Sequence, residues 1–220
     1  MSILLTGGAG FIGSHTLDAL VELGYRVAVI DDFNNYYDPI FKAENIAVYL
    51  NNPKVTVYRG SITDVPFLTA IFEKEKLDAV IHLAARAGVR PSIANPQLYK
   101  DVNIGGTENL LELCKEYGIK KFIFASSSSV YGNQTKVPFS ETDEIYPISP
   151  YAETKKSVEL LARSYHLLYG ISCIGLRFFT VYGERGRPDM APYLFTEKLL
   201  KEQEIAKFGD GSSKRDYTYI

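Results

Sequence analysis

Cysteine, histidine and long apolar runs are scarce in this 220-residue chain, and each scarcity removes a class of function. Cys114 and Cys173 fall in a helical and a strand pattern, which reads as two buried free thiols in a reducing compartment. His15, His82 and His166 are scattered without metal-ligand spacing, so no metal is assigned. No apolar run approaches the roughly 20 residues of a membrane span. The first strand pattern begins at Ser2 and leaves no room for a leader, so a cytoplasmic location is expected. A formal net charge of −2 gives no reason to expect nucleic acid or an anionic membrane as partner.

What is present alternates. Short apolar strand candidates run at Ser2–Thr6, Arg26–Asp31, Lys54–Arg59, Asp78–Leu83, Lys121–Ser126 and Ile171–Arg177. Helical patterns lie between them at Phe11–Leu23, Phe41–Leu50, Val65–Lys74, Gln97–Tyr117 and Pro150–Tyr169. Continuously apolar strands between amphipathic helices predict an α/β fold, a doubly wound parallel sheet covered on both faces. Gly118 and Gly170 are expected helix stops. After Arg177 the rhythm changes: a loop at Gly183–Pro188, a helix at Ala191–Lys201, and a turn at Gly209–Ser212 between two short strand candidates.

Two motifs carry chemistry. Gly7-x-x-Gly10-x-x-Gly13 follows the first strand and opens a helix, as a turn that admits a pyrophosphate to a helix N-terminus must. Phe11 and Ile12 belong to the same turn. Asp31 ends the second strand, where a carboxylate bonds the adenosine ribose and repels the 2′-phosphate of NADP. NAD is therefore the expected cofactor. Asp32 and Asn34 are within reach of the same ribose, Ser61 and Ile62 of the adenine. Leu83, Ala84 and Ala85 end the fourth strand beside the turn.

The second motif is Tyr151-Ala-Glu-Thr-Lys155. The i, i+4 spacing puts Tyr151 and Lys155 on one helix face, and Ser149-Pro150 supplies the cap and first-turn proline. A phenol titrates near ~10, so the base needs a nearby ammonium, the positive helix end and a cationic nicotinamide to favour its phenolate. Ser126–Ser129 follow the fifth strand, where a hydroxyl can pass a proton to Tyr151. Asn103, within a helical pattern, reads first as a solvated or capping residue, with a structural role near the lysine as the lower-ranked alternative.

Together the glycine turn, Ser126-Ser-Ser-Ser-Val-Tyr-Gly132 and Tyr151-x-x-x-Lys155 resemble the extended short-chain dehydrogenase/reductases, and within them the nucleotide-sugar epimerases. Asp32-Phe-Asn-Asn-Tyr-Tyr-Asp38, Ala87-Gly-Val-Arg-Pro91, Leu176–Gly183, Gly186–Met190 and Arg215–Tyr219 are most similar to UDP-glucuronate 4-epimerases. The resemblance implies Tyr151 as base, Lys155 as its partner and Ser127 as the relay hydroxyl. It also implies substrate contacts at Arg90, Ser127, Ser128, Thr180, Arg187 and Arg215, a UDP-sugar substrate, and a homodimer pairing two helices from each subunit. Related dehydratases fill positions 128 and 129 with Asp-Glu, so the serines here argue against elimination. Alternatives are a UDP-hexose 4-epimerase, a UDP-glucuronate decarboxylase, or an NAD-binding module without turnover.

Three departures from the family pattern stand out. Ser61 replaces an aspartate that bonds the adenine amine, and Arg86 replaces a glutamine. Family members also run on for roughly a hundred residues. The expected organisation is a Rossmann domain at residues 1–175 and the start of a small substrate domain at 176–220, apparently truncated.

Overall fold

The alternation becomes three layers, helix, sheet and helix, in the computed structural model, which describes residues 1–206, 209–211 and 214–220. Its strands are β1 (Ser2–Thr6), β2 (Arg26–Asp31), β3 (Val55–Arg59), β4 (Ala79–His82), β5 (Lys121–Ser127), β6 (Ser172–Phe178), β7 (Thr180–Tyr182) and β8 (Tyr217–Tyr219). Its helices are α1 (Phe11–Glu22), α2 (Pro39–Ile46), α3 (Val65–Lys74), α4 (Val89–Ala94), α5 (Pro96–Tyr99), α6 (Gly106–Glu116), α7 (Pro150–Tyr169) and α8 (Ala191–Leu200). The first six strands form one all-parallel sheet in the order β3-β2-β1-β4-β5-β6, a Rossmann-like arrangement.

The apolar runs are continuous because each strand feeds two cores. In β2, Val27 and Val29 pack with Leu17 and Leu20 of α1 and Ile46 of α2. Ala28 and Ile30 turn the other way, toward Leu68 and Ile71 of α3 and Leu110 of α6. Leu4, Leu5, Leu17, Leu68 and Leu110 are completely buried, and each contributes about 1.5–3 kcal/mol over an exposed position.

All six expected strands keep their expected limits to within one residue at each end, β6 starting and ending one residue later than Ile171–Arg177. The expected helix at Gln97–Tyr117 is corrected. It is α5, a wide π turn over Lys100–Gly105, and α6, with α4 set before it. The pattern at Phe41–Leu50 is likewise α2, which starts two residues earlier at Pro39 under an Asp38 cap, followed by a 3-10 turn at Ala47–Tyr49. Gly118 and Gly170 end their helices at φ of +71° and +65°, as expected. Near the C-terminus β7 and β8 pair in parallel as a second small sheet. Gly209 and Gly211 take φ of +72° and +89°, while Ser212 of the expected turn lies outside the described residues.

Candidate active site

A cavity of about 1470 Å³ opens along the carboxyl ends of the strands, where β1 lies between β2 and β4 and the strand order reverses. The glycine turn forms its floor. Gly7 has φ of +72°, and a Cβ there would stand 2.7 Å from the Ala84 nitrogen. A Cβ on Gly13 would stand 2.0 Å from the Gly7 carbonyl oxygen, so the turn and α1 meet backbone to backbone. Asp38, Asp64, Asn95 and Ser149 cap α2, α3, α5 and α7, but α1 has no side-chain cap. Its first residues Phe11, Ile12 and Gly13 line the cavity with Gly7 and Gly10, offering a helix N-terminus to an anion.

Asp31 stands at the edge of this floor, buried to 6% exposure. Its Oδ1 accepts from Phe33 N at 2.9 Å and its Oδ2 from Ala9 N at 3.2 Å. Burial pushes the carboxyl above its ordinary range; the Lys42 ammonium, 3.7 Å away, is the largest opposing influence. Lys42 was not foreseen, because nothing in a helical pattern says that a lysine will be buried. Asp32 and Asn34 line the cavity but are engaged with each other, Asp32 Oδ1 accepting from Asn34 N at 3.1 Å. Ser61 lines it too, with its hydroxyl accepting from Thr63 N at 3.1 Å. Ile62, Leu83, Ala84 and Ala85 complete the expected wall. Arg86 adds a cation 3.5 Å from Asp32, and its Nε is buried without a hydrogen-bond partner.

Tyr151 and Lys155 reach the cavity from the first turns of α7. Two serines hold that end: Ser149 Oγ accepts from Ala152 N at 3.2 Å, and Ser92 Oγ of α4 accepts from Tyr151 N at 3.1 Å. Ser127 Oγ accepts from Ser129 N at 3.2 Å and from Ser129 Oγ at 2.9 Å. Both lone pairs being used, its proton is left for the Tyr151 phenol, which faces the same cavity. The serine run thus divides its tasks, with Ser126 turned away to Glu159 and Ser128 facing the cavity.

The expected source of phenolate stabilisation is corrected in part. Burial raises Tyr151 above the ordinary phenol range, and the groups that oppose it are Ser127 and the Arg187 guanidinium. Lys155 Nζ lies 5.9 Å from the Tyr151 ring centre and donates to the Ala125 carbonyl at 2.8 Å. Burial pulls its own pKa down to about 8.

Thr180, Arg187 and Arg215 line the same cavity as Tyr151. Arg187 is held by Asp189 through two bonds, Nε to Oδ1 at 2.9 Å and a terminal nitrogen to Oδ2 at 2.6 Å, under the Tyr36 ring. Arg90 is a correction: it is exposed on α4 and does not line the cavity, because the turn after β4 presents Arg86 there instead.

Asn103 is a second correction. It is 1% exposed, and the π turn aims its amide inward. Its Oδ1 accepts from Arg86 N at 2.7 Å, while Nδ2 donates to Arg86 O at 3.1 Å and Thr154 Oγ1 at 2.9 Å. The Asn103 carbonyl accepts from the Thr107 hydroxyl. Thr107 must therefore accept from His82 Nε2 at 2.9 Å, leaving Nδ1 to accept from Thr6 at 2.7 Å. This chain of bonds ties β1 and β4 to the helix that bears Tyr151. Burial first, and Lys155 second, pull His82 down to about 3, consistent with the neutral ring. Among the described residues no cluster of His, Cys, Asp and Glu could hold a metal, and no helix is long and apolar enough to cross a membrane.

The profile of the NAD dependent epimerase/dehydratase family matches residues 3–220. The chain belongs to this family. Among its relatives, a UDP-glucuronate 4-epimerase of Thermodesulfobacterium geofontis is 46% identical over 218 residues, spanning 99% of this chain and 67% of the relative. A UDP-glucuronate 4-epimerase of Arabidopsis thaliana is 47% identical over 225 residues, spanning all of this chain and 51% of the plant protein. The crystal structure of UDP-glucuronic acid 4-epimerase from Bacillus cereus, in complex with UDP-glucuronic acid and NAD, superposes with a TM-score of 0.94 at 41% identity. That superposition covers 100% of this epimerase-family chain and 69% of the bacterial one. The chain thus spans half to two thirds of the length of these relatives.

Proposed function

We propose that this chain carries the cofactor-binding and catalytic part of an NAD-dependent 4-epimerase that interconverts UDP-glucuronate and UDP-galacturonate. The observation that carries the reading is the meeting of Ser127, Tyr151, Lys155 and the Arg187 guanidinium in one cavity.

The donor set suits NAD. The uncapped start of α1 and the backbone-to-backbone packing of Gly7 and Gly13 leave a cradle for a diphosphate, and Asp31 has one free lone-pair direction on each oxygen for the ribose hydroxyls. Bound NAD would supply the hydride acceptor and donor for C4, and its positive charge would favour the Tyr151 phenolate. With the C4 hydroxyl in the place of the Ser129 hydroxyl on its Oγ, Ser127 takes the C4 hydroxyl proton as it passes its own to the Tyr151 phenolate, and C4 becomes a ketone as its hydride leaves. After the sugar turns over, Tyr151 gives the proton back through Ser127 to the C4 oxygen of the other epimer. Lys155, anchored on Ala125 O, fixes the helix face on which Tyr151 works.

A uronate 4-ketone is a β-keto acid and loses carbon dioxide easily if its carboxylate can rotate. Ser128, Thr180 and Arg187 are the groups placed to hold that carboxylate, and a guanidinium fork restrains rotation better than an ammonium. Residues 1–175 serve the cofactor and residues 176–220 begin the substrate part. We assign the working protein to the cytoplasm, which suits the free thiols Cys114 and Cys173. We assign it a homodimeric state, supported by exposed Leu160, Leu167 and Leu168 on α7.

Proton NMR of separate incubations with UDP-glucuronate and UDP-glucose, each with NAD, tests this reading. UDP-galacturonate forming faster than UDP-galactose is expected. A preference for UDP-glucose, or a UDP-pentose as main product, contradicts the uronate assignment.

A further inference from the structure

Lys42 is an unusual residue for its place. It is 5% exposed, it sits on α2 behind the end of β2, and it lines the cavity. Its ammonium lies 3.7 Å from Asp31 Oδ1 and 3.9 Å from Asp32 Oδ1, and donates to the Asn34 carbonyl at 3.4 Å. Lysine is rarely buried to this degree without a task for its charge.

The task follows from what else faces Asp31. Asp32 is a like charge next to it on the same strand end. Arg59 of β3 stands opposite Asp31 in the strand register, but its guanidinium lies over the Phe33 ring, 5.0 Å from the centre. Arg86, from the loop after β4, is directed at Asp32. Tyr37 is a neutral phenol, pushed up to about 12 mainly by burial. Lys42 is thus the one described cation within 4 Å of the Asp31 carboxylate. A buried carboxylate that loses its only counter-ion neutralises itself by taking up a proton.

We propose that Lys42 is a positioning residue for cofactor choice: it keeps Asp31 a carboxylate at the ribose end, so the site accepts NAD and refuses the 2′-phosphate of NADP. This rests on the NAD-binding reading above and deepens it. The direction of the Asp31 shift, upward through burial with Lys42 as the main opposing influence, agrees with this role. An Asp31 that stays ionised repels a 2′-phosphate at every pH above the acid range. A protonated Asp31 repels nothing and bonds the ribose hydroxyls less well.

The experiment measures dissociation constants of NAD and NADP by calorimetry from pH 5.5 to 8.5, for the unaltered chain, Lys42→Met, Lys42→Gln, Lys42→Arg and Asp31→Asn. Comparing each variant with the unaltered chain at the same pH cancels the titration of the 2′-phosphate itself, near ~6. In both neutral variants the preference for NAD should fall by about tenfold or more toward pH 5.5, one unit of displaced titration being tenfold. Lys42→Arg should keep the original preference, and Asp31→Asn should show the reduced preference at all pH values. A Lys42→Met or Lys42→Gln preference equal to that of the unaltered chain at each pH overturns the proposal. So does a pH-independent loss shared equally by both dinucleotides, which marks a merely structural lysine. If the unaltered chain binds neither dinucleotide, the cofactor reading itself falls, and this inference with it.

Discussion

Ser127 accepts two hydrogen bonds from Ser129, which leaves its own proton for the Tyr151 phenol in the relay proposed above. Tyr151→Phe removes the terminal oxygen of the relay and nothing that holds α7. It should lower turnover by at least ~10²–10⁴-fold while NAD affinity stays within a few-fold, read from product formation and cofactor titration. Arg187→Ala should leave the relay intact but free the substrate carboxylate. The fraction of UDP-pentose among products should then rise several-fold; an unchanged product ratio and uronate preference would remove Arg187 from this role. At this scale the sequence was readable wherever a motif fixes a residue's place by spacing, as with Gly7, Gly13, Tyr151 and Lys155, which all line the cavity. Lys42 and Asn103 escaped it. Both have ordinary helix-surface identities, and their burial comes from elements distant in sequence.

Between residues 97 and 117 the periodic pattern suggested one helix where the chain builds α5 and α6 joined by a π turn, with α4 set before them. The extra residue in the turn at Lys100–Gly105 changes no composition. Its effect is to rotate Asn103 off the helix surface and into the seam between the loop after β4 and α7. Asn103→Ala leaves the Arg86 amide and carbonyl without these partners. Urea unfolding should show a loss of about 1–3 kcal/mol, and the NAD dissociation constant should rise as the Leu83–Arg86 wall loosens. Asn103→Asp, which keeps an acceptor for Arg86 N, should lose less. The strands were far more legible, because a strand buried on both faces must be apolar throughout, and these six are bounded by polar or glycine-containing turns.

For the molecule as a whole, the chain of bonds through Thr6, His82, Thr107 and Asn103 joins the sheet to the catalytic helix with a neutral imidazole at its centre. His82 is held down to about 3 in the folded chain, against an ordinary 6.5 when unfolded. Between these values the unfolded state binds the extra proton, so stability is intact above pH ~6.5 and falls as the pH drops toward 3. Unfolding measured at pH 7 and 4.5 should show the unaltered chain losing on the order of 2 kcal/mol more than His82→Gln over that interval. Equal losses would mean the imidazole does not titrate on unfolding. The parallel sheet covered on both faces was implied by the alternation of patterns. The joining network was not, since threonine and histidine at strand ends carry no periodic signal.

The central claim is that one hydride leaves C4 and returns to it on the opposite face. UDP-glucuronate deuterated at C4, incubated with the protein and NAD in ordinary water and followed by NMR, tests it most directly. The account predicts UDP-galacturonate that keeps its deuterium at C4. A product carrying hydrogen from water at C4, or no conversion by an NAD-loaded protein, would contradict it.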